Sequence, residues 1–280
     1  MNFIEIKAPA KINLGLFVVS KRSDGYHNLN TLFYPICDLF DTITFQKSNE
    51  FIFTCSDTSI PNDGNNLVVK AVKLLEKIKG NNINVSIELN KRIPSQAGLG
   101  GGSSDAAATL ISINEMFKIG LDNEQLLISG LELGADVPFF IKAKAAVGKS
   151  RGELLELIDL QIDNPIMLVN PHINISTKEA FSNVAVGETK IDLKLAIKNN
   201  KPDFCFLRKH VGNDFEPYIF KRYPEIETIK EKMYIAGAEY ALLSGSGSTV
   251  YGIFPDTESA EKMKDSLPKD YFCWISNPDH

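Results

Sequence analysis

Cysteine, long apolar runs and blocks of basic charge are all scarce in this sequence. The four cysteines lie far apart and form no CxxC pair, so we expect buried free thiols in a reducing compartment instead of disulfides or metal ligands. No apolar run approaches the roughly 20 residues of a membrane-spanning helix. The first residues, MNFIEIK, lack the charged and apolar regions of a signal peptide. We therefore expect a cytoplasmic protein that does not enter a membrane. The cysteines are Cys37, Cys55, Cys205 and Cys273.

The charge balance excludes one further class of partner. The formal net charge is −5 and no long basic block occurs, which argues against non-specific binding to nucleic acid or to anionic lipid. The four histidines show no metal-ligand spacing. With 44% hydrophobic and 23% charged residues, the composition is that of a globular protein.

Periodicity predicts an α+β protein, with strands dominating the first part and helices on a sheet in the second. Strands are expected at residues 3–7, 11–19, 26–36 and 42–45, and a helix from Leu67 that stops at Gly80. The 280 residues suit two domains, and we place a soft boundary near residue 160. The predicted domains are an N-terminal domain over 1–160 and a C-terminal domain over 161–280.

A glycine-rich segment lies at the centre of the sequence. An alternating strand pattern at residues 83–89 is followed by four glycines, two serines and an alanine-rich apolar run. The order strand, glycine loop, helix is typical of an anion site, because a helix start offers unpaired N–H groups and the positive end of its dipole. We expect Ser103 or Ser104 to cap the helix, and either hydroxyl could reach a phosphate or its Mg²⁺. The segment comprises Pro94, Ser95, Gln96, Ala97, Gly98, Leu99, Gly100, Gly101, Gly102, Ser103 and Ser104.

The segment differs from the two common nucleotide-binding motifs. No Gly-Lys-Ser/Thr follows the glycines, so it is not a Walker A loop. Ser103 stands where a dinucleotide fingerprint needs its third glycine. The alternative is a flexible loop before an ordinary helix, which explains the clustering of glycines at a helix start less well.

Two charged residues are candidates for chemistry. Asp136 is followed by Val137, Pro138 and two phenylalanines, and such apolar surroundings raise a carboxylate's pKa and make it a better base. A structural aspartate that caps a turn explains the same residues equally well. Lys11 shares a predicted strand face with Asn13 and Gly15. It could steady a transferring phosphoryl group, and a lysine on an exposed strand face is the favoured alternative from the residues alone.

A second glycine loop, Ser244-Gly245-Ser246-Gly247, separates two apolar strands near the C-terminus. Its backbone N–H groups could face an anion, and a plain hairpin turn is the alternative.

These motifs, in this order, resemble the superfamily of galactokinase, homoserine kinase, mevalonate kinase and phosphomevalonate kinase, the GHMP kinases. The glycine segment resembles its phosphate loop, Gly134-Ala135-Asp136-Val137-Pro138 its catalytic segment, and the second glycine loop its third motif. Ala8-Pro9-Ala10-Lys11-Ile12-Asn13, with Arg22-x-Asp24-Gly25-Tyr26-His27 after it, is similar to the branch that phosphorylates a cytidyl-linked methylerythritol in non-mevalonate isoprenoid synthesis. The resemblance implies a ribosomal protein S5 domain 2-like N-terminal domain, a ferredoxin-like C-terminal domain and an active site in the cleft between them.

The resemblance also implies a role for each site residue. ATP would be the co-substrate with Mg²⁺, held without a dedicated protein cage. Asp136 would be the base, and Lys11 would steady Asp136 and the transferring group. Asn13 would hold the erythritol end, His27 would read the cytosine edge, Tyr26 and Phe181 would stack on the base, and Thr177 would lie near the substrate phosphates.

Several alternatives stay open on the sequence. Without the resemblance, Tyr26 reads as a half-buried strand aromatic, His27 as a surface histidine and Phe181 as a core residue. His172 stands where the family's pattern has a glycine. The local backbone can therefore differ from the family's, and the sequence does not give the direction in which the Thr177 and Phe181 side chains point. Asn66 and Leu67 are our candidates for adenine contacts, because a turn before a helix suits such a pocket. A sister kinase acting on homoserine or mevalonate, or a nucleotide-binding module without catalysis, would carry similar phosphate motifs, and the sequence does not distinguish a monomer from a homodimer.

Overall fold

Two long strands begin the fold in the computed structural model, which describes residues 2–187 and 191–276. Strand β1 spans Phe3–Lys21 and strand β2 spans His27–Lys47. The sequence pattern predicted each of them as two shorter strands. They are continuous because intervening residues, such as Ala8, Ala10, Leu39 and Asp41, are buried and no turn sequence interrupts them.

The segments of the chain group into two units that are not contiguous in sequence. The first unit contains the chain up to Ala10, Leu39–Ser95 and Gly100–Ala143. The second unit contains Lys11–Asp38, Gln96–Leu99 and the chain from Lys144 onwards. The predicted boundary near residue 160 divides the sequence in another way and stays a prediction.

The first unit combines a small sheet with four helices. Strand β4 (Val85–Asn90) pairs antiparallel with the end of β2, Thr42–Lys47, and parallel with β3 (Ile52–Cys55). Helix α1 (Leu67–Lys79) ends at Gly80, whose φ of 76° closes the helix in the left-handed conformation. Helices α2 (Gly101–Met116), α3 (Asn123–Leu133) and α4 (Val137–Lys142) follow, and α2 packs against each of the other three.

The second unit contains two sheet regions. In one, Leu29–Phe33 of β2 pairs antiparallel with β5 (Ala146–Ser150), which pairs with β6 (Leu154–Leu157). The other is antiparallel with strand order β10-β11-β7-β12. Its strands are β7 (Ile166–Asn170), β10 (Tyr240–Leu243), β11 (Val250–Ile253) and β12 (Phe272–Ser276). This order is that of a split βαβ, ferredoxin-like sheet, as the resemblance implies.

Helices of the second unit connect and cover that sheet. They are α5 (Thr177–Asn183), a 3₁₀ helix at Leu193–Ala196, α6 (Phe204–His210), α7 (Glu216–Arg222), α8 (Pro224–Ile235) and α9 (Thr257–Asp265). A two-stranded hairpin of β8 (Ile197–Lys198) and β9 (Lys201–Pro202) precedes α6. The sequence pattern did not predict α4, α6 or this hairpin.

Two buried tyrosines fasten β1 to the second unit's sheet. The hydroxyl of Tyr240 donates to the carbonyl oxygen of Leu14 at 3.0 Å, and that of Tyr251 donates to the carbonyl of Asn13, also at 3.0 Å. Burial raises the pKa of both hydroxyls well above the ordinary value, so both remain protonated donors. These two hydrogen bonds therefore fix the backbone of the β1 segment that carries Lys11 and Asn13.

The cysteine prediction is half right. All four cysteines are free, but Cys37 and Cys205 are exposed and Cys55 and Cys273 are half-buried. Cys37 follows the buried Ile36, and because neighbouring strand residues point to opposite faces, its side chain lies on the outer face of β2. Within the described ranges, no helix is long and apolar enough to cross a membrane.

Candidate active site

The glycine segment has a backbone that most residues could not adopt. Gln96, Gly98 and Gly100 have φ angles of 53°, 76° and 74°, in the left-handed region that favours glycine. A Cβ on Gly98 would lie 2.0 Å from the carbonyl oxygen of Ser244. Glycine at position 98 is therefore required by its conformation and by the closeness of the second glycine loop.

Helix α2 begins without a side-chain cap. Gly100 occupies the N-cap position and makes no side-chain cap hydrogen bond, while Ser103 and Ser104 lie inside the first turn. The expectation that a serine caps this helix is wrong, because the left-handed Gly100 starts the helix before the serines are reached. The N–H groups of Gly101, Gly102 and Ser103 have no intrahelical acceptor and remain available to a ligand, whereas that of Ser104 donates to the carbonyl of Gly100 at 2.9 Å.

Two serine hydroxyls lie at this helix start. The Oγ atom of Ser104 is buried and has no hydrogen-bond partner in the described part of the chain. The Oγ atom of Ser103 lies 4.0 Å from the position that a Cβ on Gly134 would occupy. The start of α2 and the segment before Asp136 are therefore neighbours within the first unit.

Asp136 stands immediately before α4, at its N-cap position, and its side chain makes no capping hydrogen bond. The alternative of an aspartate that caps α4 through its side chain is therefore excluded. The residues that follow, from Val137 to Phe140, are buried, so the apolar setting predicted from the sequence is confirmed on that side.

Lys11 is buried in the second unit, with 3% of its surface exposed. Its Nζ donates to the carbonyl oxygen of Gly98 at 2.9 Å and to Oδ1 of Asn13 at 2.6 Å. A Cβ on Gly245 would lie 3.4 Å from Nζ. The alternative of an exposed strand lysine is wrong, since Lys11 joins the glycine segment to the second glycine loop.

Asn13 is also buried, and both ends of its amide are hydrogen-bonded. Oδ1 accepts from Lys11, and Nδ2 donates to Oγ1 of Thr31 at 2.7 Å, which donates in turn to the carbonyl of Gly15. This chain fixes the position of the Lys11 ammonium group.

The second glycine loop is a hairpin connection that also braces the glycine segment. It joins the antiparallel strands β10 and β11. Oγ of Ser244 donates to the carbonyl of Gly98 at 2.9 Å, and N–H of Thr249 donates to the carbonyl of Ala97 at 3.2 Å. Nδ2 of Asn213 donates to the carbonyls of Leu243 and Gly245, each at 2.8 Å. The carbonyl oxygens of this region are thus occupied by the protein.

The predicted base-binding residues all lie in the second unit. Tyr26 is 54% exposed. The rings of His27 and Phe181 are stacked, with centroids 5.2 Å apart, and Phe181 also contacts the edge of Phe215 at 4.9 Å. The Phe181 side chain is thus partly packed in the core and partly exposed. Partial burial, assisted by Lys21, lowers the pKa of His27, so its imidazole is neutral at pH 7 and carries one donor and one acceptor nitrogen.

His172 explains why the family's pattern has a glycine at this position. Its φ is 58°, a left-handed conformation that histidine tolerates better than most side chains. Oδ1 of Asn170 accepts from the N–H of His172 at 2.8 Å and supports the turn. Helix α5 then begins at Thr177 after its cap, Ser176, and Oγ1 of Thr177 lies 3.3 Å from Oγ of Ser246 in the second glycine loop.

Asn66 and Leu67 lie beside the start of α2 in the first unit. Asn66 caps α1: its Oδ1 accepts from the N–H of Val68 at 2.8 Å, and its Nδ2 donates to the carbonyl of Pro61 at 2.8 Å. A Cβ on Gly102 would lie 3.7 Å from Cδ1 of Leu67. Leu67 therefore borders the glycine segment, while the amide of Asn66 is used in the cap.

A buried cluster of charges, not predicted from the sequence, supports the glycine segment. Lys91 forms ion pairs with Asp41 and, at 2.8 Å, with Asp105. A Cβ on Gly101 would lie 3.1 Å from Nζ of Lys91. Burial raises the pKa of Asp105 to about 7, against the attraction of Lys91 and together with the repulsion of Asp41. The cluster thus lies directly beneath the first turn of α2.

Comparisons with known proteins agree with this arrangement. The family model described as the GHMP kinases N terminal domain matches residues 66–144, and the GHMP kinases C terminal model matches residues 201–272. The 4-diphosphocytidyl-2-C-methyl-D-erythritol kinase of Chlorobium limicola is 41% identical over 92% of this chain and 91% of its own length. That of Prosthecochloris aestuarii is 40% identical over 97% of this chain and 96% of its own.

The chain belongs to the 4-diphosphocytidyl-2-C-methyl-D-erythritol kinase family of the GHMP kinases. A crystal structure of 4-(cytidine 5'-diphospho)-2C-methyl-D-erythritol kinase has the same fold, with a TM-score of 0.82, 32% identity, and coverage of 97% of this chain and 98% of that one. The two-domain GHMP kinase fold predicted from the motifs is thereby confirmed, and the chain is a small-molecule kinase with ATP as its co-substrate.

The GHMP kinase site contains residues that the motifs did not reveal. Asn213 holds the second glycine loop, and Lys91 and Asp105 lie beneath the first. Asn213 gave no sequence signal, because one asparagine outside any motif resembles a loop residue. Asp105 stands between the serines and an alanine-rich apolar run, and a charged residue at the start of such a run is a signal that a buried charge is present.

Proposed function

We propose that the protein transfers the γ-phosphate of ATP to the 2-hydroxyl of 4-diphosphocytidyl-2-C-methyl-D-erythritol. The products are the 2-phosphate and ADP, and the step belongs to non-mevalonate isoprenoid precursor synthesis. The observation that carries the proposal is the uncapped start of α2, with the Asp136 segment beside it at Gly134. The relatives named for this reaction supply the acceptor.

The nucleotide would lie along the glycine segment, Pro94 to Ser104. Unpaired N–H groups of the first turn of α2 suit the triphosphate oxygens. Leu67, which borders Gly102, would contact the adenine side. The polyphosphate would thus be held by main-chain groups in place of a Walker lysine.

Mg²⁺ would arrive with ATP and neutralise charge on its phosphates. The buried, unpartnered Oγ of Ser104 fits a hydroxyl ligand to such an ion, and Ser103 is the second candidate. Among the described residues, no group of three or more His, Cys, Asp or Glu side chains could hold a metal ion. This donor set suits an ion held mainly by the nucleotide.

Asp136 would take the proton of the acceptor hydroxyl as the oxygen bonds to the γ-phosphorus. The bond from that phosphorus to the β–γ bridging oxygen breaks, and ADP leaves with the electron pair. Lys11, fixed by Gly98 and Asn13, would balance the charge on the transferring group.

The acceptor would be recognised in the second unit. Asn13 would hold the erythritol end, and Thr177 would lie near the substrate phosphates. His27, neutral at pH 7, would read the cytosine edge, while Tyr26 and Phe181 would contact the faces of the ring. The partners are therefore ATP and a small cytidyl substrate, and a cytoplasmic location fits both.

An acceptor panel tests the proposal. The purified protein is incubated with Mg-ATP and the cytidyl substrate, homoserine or mevalonate, and ADP release is measured. We expect turnover with the cytidyl compound alone. Turnover of homoserine or mevalonate without it would overturn the substrate assignment in favour of a sister kinase, and ATP binding without turnover of any acceptor would overturn the kinase proposal.

A further inference from the structure

The turn that follows β1 is tied together by a carboxylate. Nε of Arg22 donates to Oδ1 and Oδ2 of Asp24 at 3.1 and 3.0 Å, and Oδ1 of Asp24 also accepts from the N–H of Tyr26 at 3.1 Å. The N–H of Arg22 donates to the carbonyl of Tyr26 at 2.8 Å. Arg22 and Asp24 of the sequence motif therefore fix the backbone that carries Tyr26.

The turn between β5 and β6 is equally constrained. Ser150 and Gly152 have φ angles of 60° and 110°. The carboxylate of Glu153 accepts from the N–H of Arg151 at 2.7 Å and from Oγ of Ser150 at 3.0 Å. Glu153 therefore fixes the backbone N–H of Arg151 and the hydroxyl of Ser150 within this turn.

One hydrogen bond joins the two turns. Nη1 of Arg22 donates to Oγ of Ser150 at 2.9 Å, and also to Oδ1 of Asn28. The polar chain therefore runs from Asp24 through Arg22 and Ser150 to Glu153. At its two ends stand Tyr26 and Arg151, both within the second unit.

The Arg151 guanidinium lies over the Tyr26 ring, with Cζ 4.8 Å from the ring centroid. Its nearest carboxylate oxygen belongs to Glu153, 3.9 Å from Nε, which is too far for a hydrogen bond. Tyr26 keeps 54% of its surface exposed although one face is covered. A ring with a cation on one face and solvent on the other is an immobilised platform with one free face.

We propose that Arg151 is a positioning residue for substrate binding: it holds Tyr26 so that the free face of the ring receives the pyrimidine base. The inference rests on the proposed function for the identity of the base. It adds a residue outside the sequence motifs and a reason for the Arg22–Asp24 pair. A fixed ring loses less conformational freedom when a base stacks on it than a mobile ring does.

The test compares Arg151→Ala with Arg222→Ala, a matched control in which another arginine lies over a tyrosine, Tyr223, at 5.4 Å. For Arg151→Ala we expect KM for the cytidyl substrate to rise about 3- to 30-fold, with KM for ATP and kcat within about twofold of wild type. Calorimetric titration with CDP, which needs no turnover, should show the same loss of affinity. Arg222→Ala should change none of these values.

A double-mutant cycle separates positioning from a general effect. If Arg151 acts through Tyr26, then Arg151→Ala in a Tyr26→Ala background adds no further loss of CDP affinity. The inference would be overturned if the losses of CDP affinity in the two single variants added fully in the double variant. Unchanged CDP affinity in Arg151→Ala, or a rise in its KM for ATP equal to that for the cytidyl substrate, would overturn it as well. Arg151→Met, which keeps the length without the charge, replaces the alanine variant if that variant does not fold. A wild-type protein that binds CDP but does not phosphorylate the cytidyl substrate would reject the proposed function and leave the platform standing.

Discussion

The carbonyl oxygen of Ser244 lies where a side chain on Gly98 would have to begin. A Cβ at position 98 would be 2.0 Å from that oxygen, and Oγ of the same serine donates to the Gly98 carbonyl at 2.9 Å. The two glycine loops, far apart in sequence, are therefore in direct backbone contact.

Gly98→Ala should abolish most of the kinase activity. A Cβ at position 98 would clash with backbone atoms, which cannot move aside as a flexible side chain can. The φ of 76° at this position also disfavours alanine. We expect kcat/KM for ATP to fall at least about 100-fold, as for a displaced binding loop. Gly120→Ala is the matched control, because Gly120 has a φ of 88° with nothing within 4 Å of its Cβ position. It should cost about 1 kcal/mol of stability without loss of activity, and equal damage in both variants would refute the contact argument.

Asp136→Asn should lower kcat by about 10²- to 10⁴-fold, the range expected when a general base is lost. KM for ATP should change little, since the first turn of α2 is intact. Steady-state kinetics with the cytidyl substrate measures both. Asp122→Asn serves as the control, because Asp122 caps α3 through the N–H of Gln125 at 2.9 Å. That variant should keep kcat and nearly all of its stability, because asparagine caps a helix about as well as aspartate does. A near-normal kcat in Asp136→Asn would remove its assignment as the base.

Binding of the cytidyl substrate should weaken in acid through His27. Its pKa lies below the ordinary 6.5 because of partial burial, with Lys21 adding to the effect. The ring is therefore neutral at pH 7 to 8 and becomes charged only below pH 6.5, which removes its acceptor nitrogen. We expect kcat/KM for the cytidyl substrate to be flat at pH 7–8 and to fall below pH 6. In His27→Gln, which cannot titrate, this acid limb should be absent, and its persistence would assign the limb to another group.

Asp105 should make the protein less stable as the pH rises. Its folded pKa is about 7 against an ordinary 3.8, so the folded state holds the proton more tightly than the unfolded state. The free energy of unfolding is then highest below about pH 4 and falls as the pH approaches 7. Relative to Asp105→Asn, the wild type should lose at least about 1 kcal/mol, or about 2–4 °C in Tm, between pH 5 and pH 8.

The control for this pH effect is Asp256→Asn. Asp256 caps α9, and the hydrogen bonds from Ser259 lower its pKa below 3.8, so it is ionised throughout pH 5–8. Its variant should keep the wild-type slope of Tm against pH. If the slope of Tm against pH in Asp105→Asn equals that of the wild type, the proton responsible for the pH effect is held by another group.

Features that depend on neighbours in sequence could be predicted. The glycine segment and the end of α1 at Gly80 depend on residues within one or two turns of the chain, and both were predicted from the sequence. Asp136 and Lys11 were visible only as candidates. The structure removes the competing explanation for Lys11, which is buried, and shows that the side chain of Asp136 does not cap α4.

Features that depend on backbone conformation and on contacts distant in sequence could not be predicted. Whether Gly100 or a serine begins α2 is decided by the left-handed backbone that Gly100 adopts. Nothing in the residues around Arg151 indicates that Tyr26 faces it. Cys37 was expected to be buried because cysteine usually is, but the alternation of β2 places it on the outer face.

The hydrogen bonds of the Tyr240 and Tyr251 hydroxyls determine what happens when this enzyme is cut into two fragments. Each reaches a main-chain carbonyl of β1, at Leu14 and Asn13. In a fragment that ends at residue 160, those two carbonyl acceptors would have no tyrosine donor. The strand that carries Lys11 would then lose its hydrogen bonds to the C-terminal sheet. Co-expression of the two halves should therefore restore catalysis only where they reassemble, which makes the chain a candidate for split-protein complementation.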